Sequence, residues 1–205
     1  ENILNRNVAL NSEMRGEFTE VNALLIGSIG SLTETSEIQL EAYNRAFREV
    51  GLDWHWLTEE YEGMLIKAGG ELRLREYAQK RGLEVSDETI SAAYEQKCTI
   101  FCDLLKERQI RIRPGLADLL VACKSNGVSL GWVTTTLDQN INAIRKALHQ
   151  QFDFNLFDII TTIDDCDVAK PEPEIYHKAI SMLNVTATGA VAIEDSSSGV
   201  AAAKA

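Results

Sequence analysis

The sequence predicts an α/β fold: a parallel sheet covered by helices on both faces, with an all-helical insert after the first strand. Three observations carry this expectation. Apolar runs of strand length recur at Ala23–Ile26, Val128–Val133, Phe157–Thr162 and Ala190–Ile193. Segments of helical period separate these runs, and such alternation makes neighbouring strands parallel through crossover helices. Between the first and second runs, residues 36–113 carry helical periodicity and no convincing strand.

Each element has its own signal. Residues 1–20 are polar, lack a strong period and predict an N-terminal arm. Ala23-Leu24-Leu25-Ile26 reads as a buried strand that feeds a tight loop, Gly27-Ser28-Ile29-Gly30-Ser31. Ser36 and Gln39 have the spacing of a capping box, and Leu40, Tyr43, Phe47 and Val50 follow at helical spacing until Gly51. Ile90, Tyr94, Cys98, Phe101 and Leu105 form a second stripe on a long helix. The aromatics between them, Trp54, Trp56 and Tyr61, suit either the core of the insert or an anchor for a protein partner. After Pro114, Leu116, Leu119, Leu120 and Cys123 mark a helix ending at Gly127, and Ile141, Ile144 and Leu148 mark the next. Pro173 opens a helix with Tyr176, Ala179, Ile180 and Leu183, and a small-residue helix begins near Ser197. The expected division is an arm at 1–20, a core from 21–35 and 114–205, and a helical insert at 36–113.

The 205 residues suffice for one such core with a smaller inserted domain. With 31 acidic and 20 basic residues, a formal net charge of -11 excludes a nucleic-acid binder, which needs a basic surplus. A small anion can still bind, because a few placed cations and backbone N–H groups suffice. No apolar run approaches the ~20 residues of a membrane span. Cys98 and Cys102 stand four apart on a helix, a spacing open to a redox or metal pair, while Cys123 and Cys166 stand alone; reduced thiols in a cytoplasmic or other reducing soluble compartment are the expectation. His55, His149 and His177 are scattered and read as structural or surface residues.

Ligand sites of parallel α/β sheets form at strand ends, which directs attention to loops 27–35, 134–138, 163–172 and 194–199. They hold Thr134-Thr135-Thr136, Lys170-Pro171-Glu172-Pro173 and Glu194-Asp195-Ser196. In this order and at these spacings the motifs resemble the haloacid dehalogenase (HAD) superfamily over about residues 22–205. Glu34-Thr35-Ser36-Glu37, Gly51-Leu52-Asp53-Trp54 and Gly69-Gly70 look most like its CbbY-type sugar-phosphate phosphatases, near the β-phosphoglucomutases. The resemblance implies a Rossmann-like core with a helical cap and Mg2+ as cofactor. It also implies phosphate contacts at Ser31, Thr134, Thr135 and Lys170, cap contacts to substrate at Gly69, Gly70 and Arg73, and metal contacts at Glu194 and Asp195. The family fold is expected to continue beyond Ala205 with another strand.

The first motif departs from the family. Its nucleophilic and general-acid aspartates fall on Gly27 and Ile29, and its Thr on Ser31. Attack on phosphorus needs a carboxylate, and the leaving oxygen needs a proton donor, so no catalytic pair is intact. Glu71 stands where the cap motif has a lysine and is expected to repel phosphate. The sequence therefore predicts a catalytically silent homologue that binds a small phosphorylated metabolite or acts as a scaffold for a protein partner, with Mg2+ binding weakened or lost. The alternative is a Mg-dependent hydrolase with weak residual activity through Ser28 or Ser31. Lys170 is expected in a salt bridge with Asp195 or Asp164, and Glu194 and Asp195 have a second reading as caps of the following helix.

Overall fold

The chain is described by a computed structural model over residues 20–67 and 69–205; the arm expected at 1–20 falls almost wholly outside the described residues. Four strands pair in parallel in the order β3-β2-β1-β4: β1 (Ala23–Gly27), β2 (Ser129–Val133), β3 (Ile159–Ile160) and β4 (Ala190–Ile193). Gly27 stands opposite Val133 and Ile26 opposite Ile193, so the ends of the three longer strands are level. Side chains alternate across the sheet. Leu24, Ile26, Leu130 and Trp132 face α5 (Leu116–Ser125) and α6 (Asp138–Leu148). Ala23, Leu25 and Val133 face α7 (Glu174–Met182) and α8 (Ser197–Lys204). Apolar burial on both faces is why the central strands β1 and β2 read as continuous apolar runs.

Between β1 and α5 lie α1 (Ser36–Glu49), α2 (Thr58–Met64), α3 (Gly70–Arg81) and α4 (Asp87–Glu107). They form the helical cap, and α1 packs along α4. The chain leaves and re-enters the core side by side. Thr33 and Ile112 form an antiparallel bridge, the Thr33 hydroxyl donates to the Arg111 carbonyl at 2.7 Å, and Arg113 N–H donates to the Leu32 carbonyl at 2.9 Å. Trp56 and Tyr61 are buried with Tyr43, Phe47, Leu74 and Ile90, and Trp54 packs edge-on to Phe47. Trp56 and Tyr61 belong to the cap's own core, while Trp54 stays partly exposed beside them.

Two local expectations are corrected. The Ser36/Gln39 capping box does not form, because the helix starts one residue earlier. Thr35 is the N-cap, the Glu34 carboxylate accepts from Ser36 N–H at 2.8 Å, and Gln39 turns toward Lys97. The strand expected over Phe157–Thr162 narrows to Ile159–Ile160 because side chains complete its pairing with β2. Asp158 accepts from Leu130 N–H at 2.8 Å, while the Thr161 hydroxyl accepts from Thr134 N–H at 3.0 Å and donates to its carbonyl at 2.9 Å.

The cap core hangs on one buried amide. Asn44 donates to the Trp56 carbonyl at 2.9 Å and accepts from Trp56 N–H at 2.8 Å. Asn44→Ala strands two buried backbone groups at ~1–3 kcal/mol each. Urea denaturation is expected to register a loss of about 3 kcal/mol.

Candidate functional site

The strand ends bring four loops together. Beyond Gly27, Ser28 takes a left-handed conformation (φ 54°) while its N–H donates to the Val133 carbonyl at 3.1 Å. The Trp132 indole donates to the Ser28 carbonyl at 2.9 Å and fixes the loop over the sheet. The turn closes on the Ile29 carbonyl, which accepts from Leu32 and Thr33 N–H at 3.0 and 2.9 Å. On the β4 side Ser196 caps α8, accepting from Gly199 N–H at 3.1 Å. Glu194 and Asp195 are therefore not that helix's caps.

Lys170 pairs with Glu194, not with Asp195 or Asp164. Its ammonium donates to Glu194 Oε1 at 2.5 Å and to the Val133 carbonyl at 3.0 Å. The Tyr176 hydroxyl donates to the same Oε1 at 2.6 Å, and burial, together with that carboxylate, pushes its phenol well above the ordinary range. Both side chains of the ion pair are 2% exposed. The pair has a steric consequence at Gly27. A Cβ there would overlap Glu194 Oε1 and the Tyr176 hydroxyl, closer than real Cβ contacts come. Gly27 does not have a positive φ, so a side chain there would meet these two side-chain ends rather than backbone strain. Asp195 is held next door, with Oδ1 accepting from the Ser28 hydroxyl at 2.5 Å and Oδ2 lodged against Gly30. Burial raises its carboxyl above the ordinary carboxylate value, against the lowering effect of the Ser28 hydroxyl.

A cleft of about 290 Å³ separates these loops from the cap. Of the expected site residues, Ile29, Thr134, Thr135, Lys170 and Asp195 line its core side, and Gly69, Gly70 and Arg73 its cap side. Gly27 and Glu194 lie behind it, and Ser31 does not reach it: the Ser31 hydroxyl is buried without a hydrogen-bond partner. Glu71 also lies outside the lining, bound to Arg75 at 2.7 Å and to the Ser91 hydroxyl at 3.0 Å. The repulsion expected from it is therefore taken up by a neighbouring cation. A larger groove of about 1040 Å³ runs between the ends of α4 and α6, but none of the strand-end motifs reaches it.

The cleft is basic in an acidic protein. Lys67, Arg73, Lys97, Arg113 and Lys170 line it, against Glu34 and Asp195. Arg113 pairs with Glu34 at 3.0 Å and Lys67 with Glu76 at 2.7 Å. Arg73 instead donates to the Met64 and Lys67 carbonyls at 3.3 and 3.0 Å and to the Tyr43 hydroxyl at 3.4 Å. Lys97 escaped the sequence analysis. It is 3% exposed, donates to Gln39 Oε1, and stands over the rings of Tyr43 and Phe101. Neither Arg73 nor Lys97 has a carboxylate partner among the described residues. Burial lowers the Lys97 ammonium from 10.5 to about 8. Its signal in the sequence was its place on the apolar stripe of α4, seven residues after Ile90 and four before Phe101.

The donors for a divalent cation do not assemble. Mg2+ requires near-octahedral oxygen ligands. Glu194 Oε1 is spent on Lys170 and Tyr176, the Ile29 carbonyl on two N–H groups, and Gly27 supplies no side chain. Among the described residues no three His, Cys, Asp or Glu side chains gather as a metal site.

Sheet order, cap and strand-end motifs together define a hydrolase-type α/β protein with a phosphate-handling frame, and comparison with known proteins agrees. The haloacid dehalogenase-like hydrolase family matches residues 21–205, and the chain belongs to that family. Its relatives include CbbY of Cereibacter sphaeroides, 35% identical over 90% of this chain and 80% of the relative. CbbY of Rhodobacter capsulatus is 31% identical over 91% of this chain and 82% of the relative. The crystal structure of CbbY from Rhodobacter sphaeroides in complex with phosphate superposes with a TM-score of 0.81 at 35% identity, covering 90% of this chain and 82% of that one. A β-phosphoglucomutase from Clostridium difficile gives 0.75 at 25% identity, covering 90% and 80%. The family generally uses Mg2+. No helix of the described residues is long and apolar enough to cross a membrane.

The Lys97 environment makes a pH prediction. Its folded pKa lies below its unfolded one, so between about pH 8 and 10.5 the unfolded chain holds more protons and raising pH stabilises the fold. Facing groups are Tyr43, Tyr94, Cys98 and Arg73. Denaturation of wild type and Lys97→Met from about pH 7 to about pH 11 is expected to show wild type gaining on the variant as pH rises. Parallel profiles would contradict the assignment.

Proposed function

We propose that the chain is a catalytically silent CbbY-type homologue that binds a small phosphorylated sugar in the cleft between core and cap. One observation carries the reading: position 27 offers no carboxylate, and the Glu194 carboxylate sits where one would project. Aspartyl-phosphate chemistry has no nucleophile there, and Ile29 has no proton to give a leaving oxygen. Binding chemistry survives. Lys170, Arg73 and Lys97 surround the cleft, and the Thr134 hydroxyl accepts from Thr136 N–H at 3.2 Å, which leaves its own proton to donate. Among the relatives, CbbY from Rhodobacter sphaeroides has been crystallised with phosphate and, as a variant, with xylulose-(1,5)bisphosphate, which supports a sugar phosphate as the ligand class here. The working division is a core of 21–35 and 114–205 with a cap at 36–113. Thr134, Thr135 and Lys170 contact the ligand from the core, and Gly69, Gly70 and Arg73 from the cap. Four free thiols suit a reducing compartment.

A second reading has one observation in its favour. The Ser28 hydroxyl lines the cleft and donates to Asp195 at 2.5 Å, a hydroxyl beside a carboxylate base. That arrangement suits weak, Mg-dependent hydrolysis through Ser28; Ser31, buried away from the cleft, has no such partner. Purified protein with Mg2+ and para-nitrophenyl phosphate or a panel of sugar phosphates is expected to release phosphate no faster than buffer. Losing a nucleophile costs several powers of ten in rate. Turnover that survives rigorous purification and disappears in Ser28→Ala would transfer the assignment to the second reading.

A further inference from the structure

In a metal-assisted phosphate site, cation and carboxylates work together: the carboxylates hold the metal, and the metal offsets their repulsion of the ligand. Here that arrangement is taken apart at three atoms. Glu194 Oε1 is saturated by the Lys170 ammonium and the Tyr176 hydroxyl. The Ile29 carbonyl closes its turn with two N–H groups, and Gly27 contributes nothing. Two strand-end-loop carboxylates line the cleft: Glu34, paired with Arg113, and Asp195, whose Oδ1 is already engaged by Ser28.

The charges in the cleft are also divided. On the core side Lys170 is neutralised by Glu194, and Asp195 adds an anion. On the cap side Arg73 and Lys97 are cations held by carbonyls, phenols and an amide rather than by carboxylates. An incoming phosphate is drawn toward the cap and repelled by Asp195.

We infer that this chain binds phosphate esters without a divalent cation, the Glu194 carboxylate filling the space behind Gly27 and the Asp195 carboxylate opposing the ligand instead of serving it through a metal. This rests on the binding function proposed above and gives it a sign: a residue that metal-dependent binding would need becomes one whose charge limits affinity.

Calorimetric titration of inorganic phosphate into the full chain, in excess Mg2+ and in EDTA, tests both statements. The dissociation constants are expected to agree within about twofold, since a cation with no site on the folded chain adds no linked binding energy. Asp195→Asn is expected to bind phosphate several-fold more tightly in both buffers, and Arg73→Met several-fold more weakly. A tenfold or larger gain in Mg2+ that Asp195→Asn abolishes (roughly 1.4 kcal/mol per tenfold) would overturn the inference and leave the binding function standing. Absence of phosphate binding in either buffer would overturn the binding function, and the inference with it.

Discussion

The buried pair between Lys170 and Glu194 holds the strand ends together. An unpaired charge at 2% exposure would be prohibitively costly, and a buried pair is tolerable only when its remaining hydrogen-bonding capacity is met. Here the Val133 carbonyl and the Tyr176 hydroxyl meet it. The contacts join four parts of the chain: the end of β2, the segment before α7, α7 itself and the residue after β4. The carboxylate at their centre rests over the last residue of β1, so any side chain there has to displace the Glu194 carboxylate and the Tyr176 hydroxyl. The missing nucleophile is thus not a vacancy in an otherwise intact site. Its space is occupied, and the occupant is tied to the residues that keep the sheet's end in order.

This packing bears on how such a site changes. Placing an aspartate at position 27 would set a second carboxylate against Glu194, and expelling Glu194 would leave Lys170 without a partner in the core. The fourth motif, Glu194-Asp195, is retained although the first has lost its aspartates, so a side chain at position 27 calls for Glu194 to reorient rather than to be absent. The cap-side cations are placed independently of that rearrangement. Arg73 is anchored by the turn after α2 and Lys97 by α1 through Gln39. Neither depends on the strand ends for its position. A chain with a net charge of -11 can still concentrate anions in a cleft whose walls carry five basic side chains.

Much of this was legible in the sequence, and the parts that were not share a cause. Strands β1 and β2 announced themselves because burial on both faces forces continuous apolar runs, β4 because its residues are apolar throughout, and α1 and α4 because one face of each is apolar. The strand-end motifs located Thr134, Lys170 and Asp195 because loops at sheet ends have fixed positions in the chain. What sequence reasoning missed depended on where one side chain turns. Gln39 had the spacing of a capping residue and instead holds Lys97. Glu71 suggested repulsion of phosphate and instead binds Arg75. Lys170 was matched to the wrong acid because Glu194 and Asp195 are adjacent, and the spacing cannot say which of two neighbours points inward. Lys97 was visible as a lysine on an apolar stripe, a pattern that marks either a mispredicted helix or a cation with a purpose.

The central claim is that the Glu194 carboxylate occupies the space of a side chain at position 27, and a double-mutant cycle measures it most directly. Stability is determined by denaturant titration for wild type, Gly27→Ala, Glu194→Ala and the double variant. Overlap with the Glu194 carboxylate adds a cost that Glu194→Ala removes, while the overlap with the Tyr176 hydroxyl remains. The two changes should therefore couple by about 1 kcal/mol or more, with the alanine costing less in the Glu194→Ala background than in wild type. Costs that add to within about 0.5 kcal/mol would show independent sites and contradict the account.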